Sequence, residues 1–251
     1  MALTATVARQ AFFSVDATSF TTASTTPVSG ALYVAFVTER TNDAIYRTPT
    51  VSGTNGWNTT WTRVPAAQSI YLFNSGTSQV GGVDVFWGIA ASGTAGTITT
   101  DYGTGTNMNS HTIHLIQVGG NVNTVNPIGG TASDHHSNVV DMSGINTKLT
   151  RMPARNSLIL ACGRIDLNAA EIVIPGPGFT ILGATQDADT GLSTAEFNAA
   201  PTHASVGIYW NRPAPFSPFD IMSISAVEIV DLVPDEVVVA TAPVVALRAG
   251  A

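Results

Sequence analysis

A chain of 251 residues buries roughly 70 to 75% of its unfolded surface on folding, so it builds a core without disulfides or metals, and one all-β domain of this length is ordinary. Hydrophobic residues make up 44% and charged residues 11%, with 23 glycines, 13 prolines and a visible excess of Thr, Ser and Asn, a composition of strands and turns. A net charge of −7 and one lysine, Lys148, exclude a phosphate-tracking surface, and no apolar run reaches the about 18 residues of a membrane-spanning helix.

Residues 1–13 read as an N-terminal arm, without the basic start, apolar core and cleavage site of a secretory signal, so the expected route out of a cell is lysis or an assembly. Residues 14–26, with Val15 and Phe20 among Thr and Ser, suit a polar edge strand before a turn at 27–30. The run 32–37 (LYVAFV) is a central strand, followed by a polar connection over 38–55. Residues 57–64 are strand material that places Trp57 and Trp61 on one face. A short apolar run at 70–73 and a turn at 74–79 lead into 81–99. There a period of two puts Val83, Val85, Trp87 and Ile89 on one face and Asp84, Phe86 and Gly88 on the other, and a Gly/Ser/Thr turn makes the stretch read as a hairpin. Residues 112–118 (TIHLIQV) form a further strand, and the polar region 121–150 is expected to hold one edge strand near Val139.

From there the pattern echoes itself in order. LILAC at 158–162 matches 32–36, 178–182 matches 61–64, 206–210 (VGIYW) matches 83–87 (VDVFW), and 222–229 matches 111–118. The expected architecture is a two-sheet antiparallel β-sandwich over 14–232 with jelly-roll-like topology and a two-fold repeat, its halves at about 31–120 and 155–232. Only 188–199 has a helical composition, weakened by Gly191. The lone Cys162 lies in an apolar strand and reads as a buried, inert thiol. Residues 233–251 form an apolar, proline-punctuated C-terminal arm.

Candidate chemistry is sparse. Asp134, His135 and His136, with Asp141, form the most metal-like cluster, but neighbours on an extended chain point oppositely and a solvated loop is expected. His111 and His114 fall on opposite faces of their strand and read as surface or turn residues. Asp187, Asp189, Gly191 and Glu196 approach a calcium loop, yet the glycine comes one position early and a third acid is missing, so an Asx-rich turn is expected. No nucleophile and base share a recognisable spacing, and the expectation is a non-enzymatic protein without cofactor or metal.

The segments Gly30-Ala31-Leu32-Tyr33-Val34-Ala35-Phe36, Trp61-Thr62-Arg63-Val64, Val83-Asp84-Val85-Phe86-Trp87, the strand at 113–118 and their second-half echoes resemble a jelly-roll-like β-sandwich family of tailed-bacteriophage virion proteins, over about 14–232. The resemblance implies a head-decoration, stabilising or minor tail or structural subunit. It also implies assembly in the host cytoplasm, self-association as a homo-oligomer such as a trimer, and docking onto other virion proteins such as the major capsid protein. Contacts are expected from Phe86 and Tyr209 on an outer face, and from Val237, Val238, Val239, Val244, Val245 and Leu247 in the C-terminal arm. The competing reading is a carbohydrate-binding adhesion module on a virion fibre or bacterial surface, contacting a surface glycan; exposed Trp57, Trp87 and Trp210 would favour it, and burial between sheets would favour the structural role.

Overall fold

The computed structural model describes residues 2–41, 45–74, 78–104, 108–137, 144–154, 156–166, 172–187, 191–211 and 221–232. Among them lie seventeen strands, two 3-10 turns and no α-helix, arranged in two halves. The first half holds β1 (Thr4–Phe13), β2 (Ser19–Thr21), β3 (Leu32–Thr41), β4 (Thr50–Gly53), β5 (Thr62–Arg63), β6 (Ser69–Asn74), β7 (Ser78–Ile89), β8 (Ile98–Asp101) and β9 (Met108–Gly119). The second holds β10 (Ile128–Ser137), β11 (Gly144–Lys148), β12 (Leu158–Asp166), β13 (Ile172–Pro175), β14 (Thr180–Asp187), β15 (Gly191–Asn198), β16 (Ser205–Asn211) and β17 (Ile221–Ile229). The first half forms a six-stranded sheet, β1-β9-β3-β7-β5 with β6 also on β7, and a three-stranded sheet, β2-β8-β4. The second forms a five-stranded sheet, β10-β17-β12-β15-β14, and a three-stranded sheet, β11-β16-β13. All pairings are antiparallel.

The expected two-sheet sandwich is therefore four sheets, stacked in four layers. Alternation along β3 shows why. Leu32, Val34 and Phe36 point into a layer shared with Leu158, Leu160, Cys162, Ala195, Val227 and Ile229 of the second half. Tyr33, Ala35 and Val37 point the other way, into a layer with Phe20, Trp57, Phe86 and Ile98 under the small β2-β8-β4 sheet. On the far side Ile159, Ala161 and Ile165 meet Ile145, Val206 and Ile208 under β11-β16-β13. Both large sheets are covered on both faces, which is what an unbroken apolar run such as LYVAFV requires.

Several expectations change. Residues 4–13 are not an arm but edge strand β1, paired with β9. The stretch 81–99 is no hairpin: β7 pairs with β3, β5 and β6, while β8 crosses into the small sheet between β2 and β4. Trp57 leaves the strand pattern altogether, closing the 3-10 turn Asn55–Trp57. The helical composition at 188–199 yields to β15, whose Leu192 and Ala195 fill layers on opposite faces and whose full ladder with β12 outweighs weak propensity. The polar stretch 128–137 is strand β10, an edge paired with β17, so the second half begins well before residue 155. Segment 206–210 lies in the small-sheet strand β16; beside β12 the strand is β15.

Candidate functional site

Polar and charged side chains collect at the same end of the central strands. On β3 the face carrying Tyr33, Ala35 and Val37 continues to Glu39; on β9 the face carrying Leu115 and Ile113 continues to His111; Asp84 of β7 shares that layer. All three are buried. Tyr102 reaches His111 Nδ1 at 2.9 Å and Glu39 Oε2 at 3.4 Å, and His111 Nε2 lies 2.9 Å from Thr100 Oγ1. Burial, with the Arg164 charge second, pushes His111 down to about 3, so its ring is neutral. With the Tyr102 hydroxyl donating to Glu39 Oε2, the neutral ring donates from Nδ1 to the Tyr102 oxygen and accepts at Nε2 from Thr100 Oγ1. Burial, with the Asp84 charge second, holds Glu39 well above the carboxylate range. Asp84 accepts from Arg63 Nε at 2.9 Å, from Gln68 Nε2 at 3.1 Å and from the Tyr46 hydroxyl; burial raises it, and Tyr46, Arg63 and Gln68 favour its charge. The cluster is a buried relay that leaves Glu39 Oε1 without a hydrogen-bond partner among the described residues.

A second cluster lies between the two halves. His114 faces the opposite side of β9 from His111, as three-residue spacing on a strand demands. Gln10 Nε2 lies 2.9 Å from His114 Nδ1, and Ser193 Oγ lies 2.8 Å from Nε2, with Cys162 Sγ 3.7 Å from Ser193 Oγ. These are the distances of a serine, a base and an orienting group. The direction is wrong for catalysis: with the Gln10 amide N–H donating to Nδ1, Nε2 carries the proton and cannot take one from Ser193. Arg164, also buried, donates to Thr38 Oγ1 at 3.3 Å and Ser110 Oγ at 3.1 Å in the same layer. Burial pushes Cys162 up to about 12.

Two carboxyls serve the second half. Glu228 accepts from Gly130 N at 2.7 Å, Ala154 N at 2.6 Å and Arg151 Nε at 2.8 Å. Burial alone would raise it, but Arg151 and the N–H groups outweigh burial and hold it below the usual range. Glu196 sits inside the layer under β11-β16-β13 where, among the described residues, only Gly176 N is near, at 3.4 Å, and its Oε1 has no partner; burial pushes it up to about 8.

The expected site residues fall differently. Phe86 is 3% exposed and packed with the layer that holds Trp57, so the face opposite Val83 and Val85 is a second core and not a partner surface. Tyr209 lies on β16, paired with β11 and β13, its side chain outside the described residues. Val237, Val238, Val239, Val244, Val245 and Leu247 also lie outside them, as do Asp141 and Asp189. His111 and His114 are core residues, not surface ones. Asp134, His135 and His136 are on strand β10 instead of a loop, and alternation leaves Asp134 and His136 on one face, Oδ2 to Nε2 3.6 Å. Asp187 and Gly191 face each other across the β14-β15 turn while Glu196 is buried a ladder away. No group of three or more metal-ligating side chains occurs among the described residues. Glu39, Arg164, Glu196 and Glu228 carry the buried electrostatics and were not singled out for it from sequence; their signal is a charge set into an otherwise apolar strand, as in VTER, CGRID and AVEIV. Compared with known protein families, with curated proteins and with solved structures, the chain matches none of them.

Proposed function

We propose that this chain is a non-enzymatic bacteriophage virion subunit, decorating or stabilising the shell or serving as a minor structural component, built from two copies of one jelly-roll-wired unit. The observation that carries this reading is strand order. Written A to H, the first half is β1, β2, β3, β4, β5, β7, β8, β9 and the second is β10 to β17. The large sheets then read A-H-C-F-E in both halves, and the small sheets B-G-D in both. An A-H-C-F sheet packed on B-G-D is jelly-roll wiring with strand E moved to the F edge, a wiring that viral shells use widely and that lectins and cupins share.

Two features weigh toward assembly and against sugar binding. Trp57 is sealed in a core with its Nε1 bonded to Thr25 O at 3.0 Å, and Trp87 packs against the layer between the halves, so neither offers a stacking platform, while the Trp210 side chain lies outside the described residues. Val125, Met152 and Leu232 are 75%, 65% and 54% exposed, and Leu232 and the loop that carries Val125 meet just past the end of β17, the apolar segment 233–251 following in sequence. With β1 built into a sheet, the C-terminal segment is the arm left to dock on neighbouring subunits. Sedimentation velocity of the full chain and of a chain ending at Leu232 tests this. The full chain forms oligomers or binds virion components and the shortened one stays a folded monomer; a full chain that is strictly monomeric and binds no virion component refutes the proposal.

A further inference from the structure

The two large sheets meet face to face, and the strands that oppose one another follow a crossed order. In the letters used above, β1 (A) lies against β14 (E), where Gln10 fills the space that a Cβ on Gly183 would take. Strand β9 (H) meets β15 (F) through His114 and Ser193, at 2.8 Å. Strand β3 (C) meets β12 (C) through Thr38 and Arg164, at 3.3 Å. Strand β7 (F) meets β17 (H) through Val83 O and Ser225 Oγ, at 3.3 Å, and the 3-10 turn Pro65–Ala67 that follows β5 (E) lies against β10 (A). A on E, H on F and C on C is the order that a two-fold axis running along the strands produces. Register carries the same relation to single residues. Matching Leu32 to Leu158, where β3 and β12 begin, matches Phe36 to Cys162 and Thr38 to Arg164. His114 is the cross-strand neighbour of Phe36 and Ser225 of Cys162; Val83 is the neighbour of Thr38 and Ser193 of Arg164. The contact of His114 with Ser193 is therefore repeated by that of Ser225 with Val83, and the contact of Thr38 with Arg164 is its own image, on the axis.

We propose that the A-H-C-F-E face of each half is a two-fold docking surface whose partner is a second copy of the same unit, and that two chains bind through it by exchanging halves. The first half of each chain then sits on the second half of the other. Pairing like halves would set Arg164 against Arg164 on the axis, so the exchange joins unlike halves. The chain crosses between its halves at Gly119 and Gly120. Strand β9 ends at Gly119, and Asn121 already belongs to the second half, where its carbonyl accepts from Leu232 N and the next residue, Val122, bridges Asp231. Gly120 is exposed and has a φ of 100°, so the crossing is a short hinge of two glycines that turns outward without breaking either sheet. Exchange reproduces every contact named above. Its cost over the closed chain is the entropy of joining two chains, and a closed chain with a mismatched axis gains by it. The inference rests on the strand-for-strand correspondence of the halves proposed above and not on the virion role.

The test mismatches the axis in two full chains and lets exchange repair it. Thr38→Arg puts a second guanidinium across the axis from Arg164, in space that a threonine fills; Arg164→Thr leaves two threonines there. In the exchanged pair the first half of the Thr38→Arg chain meets the second half of the Arg164→Thr chain, one arginine to one threonine, and the other interface is the native one. The two chains are co-expressed with different affinity tags, purified through both, and weighed by native mass spectrometry. The mixed dimer is enriched about 100-fold over the yield from Thr38→Arg co-expressed with the otherwise unaltered chain, where the axis stays mismatched. Association through residues 233–251 would join tagged chains equally in both mixtures, so the comparison reads exchange apart from the virion reading. A chain carrying both substitutions restores the pair within itself and recovers more than half of the shift in urea midpoint caused by Thr38→Arg. Where Thr38→Arg does not fold alone, its recovery in soluble form by Arg164→Thr, in the same chain and in the other, is the readout. No enrichment of the mixed dimer, or a doubly substituted chain that unfolds as early as Thr38→Arg, overturns the proposal.

Discussion

Replacing Glu196 by Gln isolates one buried carboxyl. In the folded chain burial keeps Glu196 protonated up to about pH 8, the one donor near it among the described residues being Gly176 N at 3.4 Å; in the unfolded chain it ionises near the ordinary 4.5. A raised folded-state value on an acid means that the unfolded state sheds its proton first. Stability from this group is whole below pH 4.5 and falls as pH rises, until the folded form also ionises near 8. At pH 7 the lag costs about 3 kcal/mol, at roughly 1.4 kcal/mol per pH unit. Glutamine carries no such lag, though its amide leaves a donor unpartnered, which returns about 1 kcal/mol. The measurement is urea unfolding by circular dichroism at intervals from pH 5 to pH 8.5. Glu39 and Asp84 are also raised and tilt the same curve, so the informative quantity is the difference between the two proteins. The histidines contribute equally to both proteins and cancel, so between pH 6.5 and 8 that difference grows by about 2 kcal/mol in favour of the variant. A difference that stays constant across this window refutes the assignment of Glu196 as a neutral core acid.

Phe86→Ala lowers stability by about 3 to 5 kcal/mol, read from the urea midpoint, and leaves the oligomeric state of the folded protein unchanged, because the side chain fills a core layer and meets no partner. Glu228→Ala leaves Arg151 and the N–H groups of Gly130 and Ala154 without their acceptor and costs about 3 kcal/mol near neutrality. Because Glu228 is held below its ordinary value, its contribution is present above pH 4.5 and is lost as pH falls through the folded value, so the variant and the native chain converge in acid.

The strands were legible because period-two alternation is a local property. Val83 and Val85 do oppose Asp84 and Phe86, and His111 does oppose His114. What alternation does not carry is how many sheets cover a face. Phe86 looked like an outer residue because one apolar face satisfies a two-layer sandwich; in four layers the opposite face is also interior. The β7-β8 stretch misled for a related reason, since a Gly/Ser/Thr turn links strands equally well within one sheet and between two. Local composition also failed at β15, where the ladders to β12 and β14 override a weak helical preference. The relay of Glu39, Tyr102 and His111 was invisible for a different reason: its members come from three strand regions and meet only through register.

The buried titratable groups set how global stability responds to acid. Between pH 6.5 and 4.5, unfolding exposes His111 and His114, which take up protons and favour the unfolded chain as acid is added. Over the same interval unfolding also exposes Glu39 and Glu196, which are protonated when folded and ionised when unfolded, and these favour the folded chain as acid is added. The raised carboxyls and the lowered histidines therefore pull the stability curve in opposite directions across that window. The groups differ in place as well as in sign: His111 and Glu39 lie under the β2-β8-β4 sheet, Glu196 under β11-β16-β13, and His114 between the two large sheets.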